Sequence, residues 1–148
     1  MITEVGLVFS MKLRDDRIYV NCITYHSYPK ITEFIFDTGA KFTCCSYDVI
    51  DDRLSETDFR AQEHKDLGGF ISGSAMRFYR LRLRQFTVGN IDLGPRNVWI
   101  TFDDRISDSV LGMDVLKDVI FLNPTAEGQV RLFSTREELA CYCLDWRP

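Results

Sequence analysis

Residues 34–40 read Phe-Ile-Phe-Asp-Thr-Gly-Ala, so an apolar, aromatic-rich run passes directly into Asp-Thr-Gly. β-Branched and aromatic residues favour a strand, and an Asp followed two residues later by Gly favours a tight turn. The pattern therefore predicts a carboxylate, Asp37, at the end of a largely buried strand. An ionised acid is costly there unless it is hydrogen-bonded or shares a proton. An ordinary strand followed by an Asx-type turn would give the same tripeptide.

Two later segments carry further motifs. Residues 109–116 read Ser-Val-Leu-Gly-Met-Asp-Val-Leu, in which two hydrophobic residues and a glycine precede a short helix-like segment. Residues 68–74 read Gly-Gly-Phe-Ile-Ser-Gly-Ser, which is typical of a hairpin turn and also of a flap, a hairpin that closes over a substrate. Together with residues 34–40 and the following Thr43, this order of motifs resembles the retropepsin-like branch of the aspartic proteases, which is related to the retroviral proteases.

The resemblance implies an all-β, mainly antiparallel fold, a retropepsin-like closed acid-protease barrel with one or two short helices. The helices are expected near residues 46–54 and 113–118. Residues 1–133 would form the retropepsin-like aspartic protease domain, and residues 134–148 a C-terminal extension packed on it. The many short alternating segments separated by turns indicate the same class, and a length of 148 residues fits one domain.

Individual strands are predicted from alternation of apolar and polar residues. They include residues 5–13, 17–25 and 32–37, and one long strand over residues 75–88. Between the second and third of these we expect a loop, because Pro29 has no N–H to donate to a ladder.

The resemblance also implies roles for single residues. Asp37 would be the catalytic carboxylate. Thr38 would brace two loops across a dimer axis, Gly39 would permit the turn, and Ala40 would leave space beside the carboxylates. The other positions that match the family's motifs are Ile71, Ser72 and Gly73 in the flap, and Leu111 and Gly112 in a supporting loop.

Three positions need a choice or depart from the family pattern. The flap tip could be Gly68-Gly69 or Ser72-Gly73, and we prefer the second because a long strand begins directly after it. Asp114 is interpreted as a helix-start carboxylate and not as a second catalytic acid. Lys41 stands where the family usually has an acidic or small polar residue, which bears on substrate preference next to the scissile bond.

Aspartic peptidases use two carboxylates that share one proton, because two close carboxylates cannot easily both ionise. This chain carries one Asp-Thr-Gly. An enzyme would therefore pair Asp37 with Asp37 of a second copy, in a homodimer with two-fold symmetry that hydrolyses a peptide or protein substrate. The alternative is a catalytically silent module of the same fold that binds a peptide or partner. A weaker third possibility is a structural interaction domain organised by the C-terminal extension.

Composition excludes several partners. The formal net charge of −4 gives no electrostatic support for nucleic-acid binding, and the arginines of residues 80–84 are more simply a solvated face. No run approaches the ~18 apolar residues that a membrane span needs. The first residues lack the basic and apolar regions of a signal peptide, so a cytoplasmic protein that engages no membrane is expected.

Five cysteines, an odd number without a secretion signal, predict free thiols. Cys44 and Cys45 should point to opposite sides of their strand, so that only one of them would face the core. Cys141 and Cys143 lack the second Cys or His pair that zinc sites usually have. We therefore expect no metal and no cofactor.

Overall fold

The computed structural model describes residues 7–10, 12–14, 17–71, 74–89, 91–122, 129–133 and 137. The described strands, in chain order, are β1 (Leu7–Ser10), β2 (Lys12–Arg14), β3 (Arg17–Tyr25), β4 (Pro29–Phe36), β5 (Cys44–Ser46), β6 (His64–Ile71), β7 (Ser74–Leu83), β8 (Gln85–Val88), β9 (Ile91–Asp92), β10 (Arg96–Thr101), β11 (Val110–Leu111), β12 (Ile120–Leu122) and β13 (Gln129–Phe133). The helices are α1 (Tyr47–Ile50), α2 (Met113–Leu116) and a single 3-10 turn, Glu56–Asp58. The all-β class is confirmed, and α1 and α2 lie in the two segments where short helices are expected.

The strands form two sheets. The larger has the order β6-β7-β10-β5-β11-β4-β3-β8-β9, with β2 beside β3, and the smaller has the order β1-β13-β12. Pairing is antiparallel except for β10 with β5 and β11 with β4, which are parallel. Among the described strands the hydrogen-bonded path of the larger sheet ends at β6 and at β9, so no pairing of these residues closes it into a ring.

Two clusters of buried side chains lie on opposite sides of β5. Cys45 belongs to the larger cluster with Phe34 and Phe86, whereas Cys44 belongs to a smaller cluster with Trp99. The two cysteines do point to opposite sides, but both are buried, so the expectation that only one faces the core is wrong. The physical reason is that apolar side chains cover both faces of this central strand. A strand of three residues is too short for its apolar and polar pattern to show that both faces are buried.

Strand β7 is buried on different faces along its length. Met76 and Phe78 pack in the smaller cluster, while Tyr79 and Leu83 pack in the larger one. The predicted long strand over residues 75–88 is in fact β7 and β8, separated at Arg84, whose backbone N–H donates to Tyr25 O at 2.8 Å.

Two other strand boundaries differ from prediction. Pro29 begins β4 and pairs with Tyr25, which corrects the loop predicted there. A proline is tolerated at the first position of a strand, where its missing N–H costs least. The single strand predicted over residues 5–13 is instead β1 and β2, which belong to different sheets. Within the described ranges, no helix is both long enough and apolar enough to cross a bilayer.

Candidate active site

Asp37 follows the last residue of β4, at the turn that the sequence predicts. Its backbone N–H donates to Leu111 O at 3.2 Å, since β4 lies parallel to β11 with Leu111 opposite Phe36. Its carboxylate Oδ1 accepts the N–H of Gly39 at 2.9 Å, and its carbonyl accepts the N–H of Ala40 at 3.2 Å. The turn thus fixes the backbone on both sides of the carboxyl group, which is exposed to solvent.

Gly112 brings the supporting loop against the loop that follows Asp37. A Cβ built on Gly112 would lie 2.4 Å from the carbonyl carbon of Phe42, closer than any real side chain allows. Glycine is therefore required here for the approach of two backbones. The Gly112 N–H donates to Thr43 Oγ1 at 3.0 Å, so the contact also carries a hydrogen bond.

Thr43 and Asp114 connect the same two loops through side chains. Asp114 Oδ1 accepts the backbone N–H of Thr43 at 2.9 Å and its hydroxyl at 2.7 Å. Thr43 is fully buried, so these bonds satisfy polar groups that water cannot reach. Asp114 is the second residue of α2, as expected, but its hydrogen bonds with Thr43 were not predicted. A hydroxyl side chain in the short apolar run Phe42-Thr43-Cys44-Cys45 was the signal that could have drawn attention to Thr43.

The start of α2 also contacts residues 37–43, here called the active-site loop, through the backbone. Met113 N–H donates to Ala40 O at 2.8 Å, and Asp114 N–H donates to Lys41 O at 3.2 Å. The first N–H groups of a helix have no partner within the helix. Here the loop carbonyls supply those partners, so α2 and the loop stabilise each other.

A cleft of ≈ 690 Å³ opens beside Asp37. Its walls come from β3, the end of β4, the active-site loop, the start of β5, β6, and the start of β11 with the segment before it. The lining residues are Arg17, Ile18, Ile35, Phe36, Asp37, Gly39, Ala40, Lys41, Phe42, Cys44, Leu67, Gly68, Asp108 and Val110. Arg17 and Asp108 form an ion pair at 3.3 Å between positions 91 residues apart, which no local pattern could have predicted.

The hairpin of β6 and β7 lies at one side of this cleft. Ile71, the last residue of β6, pairs with Ser74, the first residue of β7. The predicted tip residues Ser72 and Gly73 lie outside the described residues. Gly68, the other candidate tip position, belongs to β6 and lines the cleft. The role of the hairpin as a flap stays a prediction.

Cys44 lines the cleft but is poorly suited to act as a nucleophile. Burial raises the pKa of its thiol to about 12, with the negative charges of Asp114 and Asp37 adding to the effect. The reactive form of a cysteine is the thiolate, which is scarce at such a pKa. Within the part of the chain that the structure describes, no group of three His, Cys, Asp or Glu side chains is placed to hold a metal ion. Cys141 and Cys143 lie outside that part.

Comparisons with known proteins agree with this geometry. A family model described as aspartyl protease matches residues 29–115, more than half of the chain. Among solved structures, the fold is similar to that of a retropepsin-like aspartic protease from Rickettsia conorii, with a TM-score of 0.61 and 16% identity. The match covers 86% of this chain and 90% of the other, and it confirms the retropepsin-like fold. No curated protein matches the sequence significantly.

Proposed function

Because the chain belongs to the aspartyl protease family, we propose that it is an aspartic endopeptidase whose active unit is a homodimer. The observation that carries this proposal is the placement of Asp37, held at the end of β4 by Gly39 N–H and Leu111 O on the edge of an open cleft. A carboxylate fixed in this way beside a groove can reach a bound peptide without first reorganising its own loop.

The homodimer follows from the number of carboxylates that the chemistry needs. Hydrolysis of an amide by this route uses two close carboxyl groups sharing one proton. The sequence contains a single Asp-Thr-Gly, and a two-fold axis near Asp37 would bring the same residue from a second copy. Thr38, which is exposed directly after Asp37, would then brace the two loops across this axis.

The reaction proceeds through a tetrahedral intermediate. One Asp37 is ionised and takes a proton from a water molecule, whose oxygen attacks the carbonyl carbon of the scissile bond. The protonated Asp37 of the second copy gives its proton to the carbonyl oxygen. On collapse of the intermediate the C–N bond breaks, and the first Asp37 gives the proton it took from water to the leaving nitrogen. The Asp37 of the second copy takes a proton from one hydroxyl of the intermediate. The products are a carboxylic acid and an amine, and the dyad again holds one proton.

The cleft suits an extended peptide. It runs past the active-site loop to β6, so a strand-like segment would have backbone amides and carbonyls of the β6–β7 hairpin on one side and Asp37 on the other. Main-chain pairing of this kind supplies affinity, while side chains alternate into pockets.

The experiment that tests the proposal is digestion of a peptide library at several pH values from acidic to neutral, followed by mass spectrometry of the products. We expect internal cleavage by the parent protein and none by Asp37→Asn. Binding of library peptides without cleavage by either protein would favour the alternative, a catalytically silent peptide-binding module.

A further inference from the structure

We propose that the cleft recognises an acidic side chain of its substrate close to the scissile bond, and that Lys41 is the residue that selects it, assisted by Lys65. The inference deepens the proposed function and rests on it in one respect, since it takes the occupant of the cleft to be a peptide.

The position of Lys41 is the first observation. It comes four residues after Asp37, lines the same cleft, and is exposed. Among the described side chains, no carboxylate forms an ion pair with it. The other cation of the lining, Arg17, differs in this respect, because Asp108 lies 3.3 Å from its guanidinium. Lys41 is therefore the positively charged residue of the cleft lining that can form an ion pair with a bound ligand.

A second ammonium group contacts the same aromatic ring. Lys41 Nζ lies 5.4 Å from the centroid of the Phe42 ring, and Lys65 Nζ lies 5.1 Å from that centroid and 5.3 Å from the ring of Trp99. The two rings contact each other edge to face at 5.8 Å. Lys65 belongs to β6, so two elements far apart in sequence bring their positive charges to one aromatic surface.

The aromatic rings explain how each ammonium group is held beside the cleft without losing its charge. A ring face attracts an ammonium group, and each contact contributes modestly at an exposed site. The rings do not neutralise the charges and accept no strong hydrogen bond, so the three N–H donors of each lysine stay available. A carboxylate beside the Lys41 ammonium group would accept charge-assisted hydrogen bonds from it, and the positive charge of Lys65 near the same ring would add to the attraction.

The test uses two readouts, so that binding and cleavage are judged separately. Capped octapeptides of random sequence are equilibrated with immobilised Asp37→Asn protein, and the enriched peptides are sequenced by mass spectrometry. Enriched sequences are then made as matched sets carrying Glu, Gln, Lys, Arg or phosphoserine at the enriched position. Dissociation constants are measured with Asp37→Asn, and kcat/KM with the parent.

Lys41→Gln and Lys41→Glu are each made in the parent protein and in Asp37→Asn. The matched control is Lys117→Gln. Lys117 is an exposed lysine at the end of α2 that does not line the cleft. We expect Glu to be preferred over Gln by about three- to tenfold, the range of a solvent-screened ion pair with a hydrogen bond. The preference should vanish in Lys41→Gln, invert toward Lys or Arg in Lys41→Glu, weaken at high salt and persist in Lys117→Gln.

The outcomes separate this inference from the proposed function. Cleavage without any preference for Glu over Gln, or a preference that survives both Lys41 variants, overturns the inference and leaves the peptidase. A Lys41-dependent preference in binding without any cleavage upholds the inference and contradicts the peptidase. Failure of the library to show any acidic enrichment also overturns the inference. A phosphoserine peptide that binds far more tightly than its Glu counterpart would identify phosphopeptides as the source of the acidic group.

Discussion

The hydroxyl of Thr43 donates to the carboxylate of Asp114 at 2.7 Å and accepts the N–H of Gly112 at 3.0 Å. One buried side chain thus joins the loop after Asp37 to the start of α2. The backbone bonds from Met113 to Ala40 and from Asp114 to Lys41 add to this connection. The position of the Asp37 carboxylate therefore depends on residues that do not line the cleft.

Asp114→Ala should lower the free energy of unfolding by about 1–3 kcal/mol, because it leaves buried donors of Thr43 without a partner. Asp114→Asn should cost much less and keep most peptidase activity, since its amide oxygen can still accept both bonds. Urea unfolding measures the free energy of unfolding of both variants. Asp104→Ala, in an exposed loop, is the control and should stay within about 0.5 kcal/mol. Equal stability of Asp114→Ala and the parent would contradict this role.

Gly112→Ala should fold poorly, because the new Cβ would lie 2.4 Å from the backbone of Phe42. Overpacking against backbone costs about 1–3 kcal/mol or more. The matched control is Gly68→Ala, where a Cβ meets nothing within 4 Å. Thermal unfolding should give Gly112→Ala a clearly lower melting temperature than Gly68→Ala. Similar melting temperatures would show that the loops are free to move apart.

Stability should fall in acid partly because of Asp51, whose side chain is only 3% exposed. The hydrogen bonds from Arg53 lower the pKa of Asp51 below its ordinary value, against the opposing effect of burial. A carboxyl group with a depressed folded pKa stabilises the fold above its unfolded pKa of about 3.9, and this contribution is lost as the pH falls below that value. Arg53→Gln should therefore lower the free energy of unfolding at pH 7. It should also make the decline of that free energy between about pH 4 and pH 2 less steep.

Urea midpoints at successive pH values measure this effect. Arg60→Gln, at an exposed position without an ion-pair partner among the described residues, serves as the control and should leave the profile unchanged. If Arg53→Gln and the parent have parallel profiles, Asp51 does not contribute to acid sensitivity.

The thiols of Cys22, Cys44 and Cys45 should resist labelling in the native protein. All three are free and buried, and burial raises the pKa of each thiol. Maleimide labelling with mass mapping should find them unmodified before denaturation and modified afterwards. Under denaturing, non-reducing conditions we expect all five cysteines to be labelled. Two unlabelled positions would mean that a disulfide has formed, contrary to the prediction from the odd count.

Local patterns in the sequence predicted the parts of the site that depend on neighbouring residues. The turn at Asp37 follows from an apolar strand that ends in Asp-Thr-Gly. The place of Gly112 in a supporting loop was implied by the resemblance to the family. The strand breaks were harder to predict, because whether a residue such as Arg84 continues a strand depends on which strand lies beside it.

Contacts between segments that are distant in the sequence could not be predicted from local patterns. The ion pair of Arg17 with Asp108 joins positions 91 residues apart. The hydrogen bonds of Thr43 to Asp114 join positions 71 residues apart. Polar side chains of these types are common on any surface, and only the folded chain shows which of them meet. The burial of both Cys44 and Cys45 has the same origin, since it depends on elements packed on each side of β5.

The central claim is that two copies of Asp37 act together. It is tested most directly by measuring peptidase activity in mixtures of parent and Asp37→Asn protein at fixed total concentration, after refolding together to randomise the subunits. Asn is nearly isosteric with Asp but cannot act as a base, so a mixed dimer should be inactive. Activity should then fall as the square of the parent fraction, to about a quarter in an equal mixture, as expected for a two-fold pair. A linear fall to about half would mean that each chain works alone, and would contradict the shared dyad.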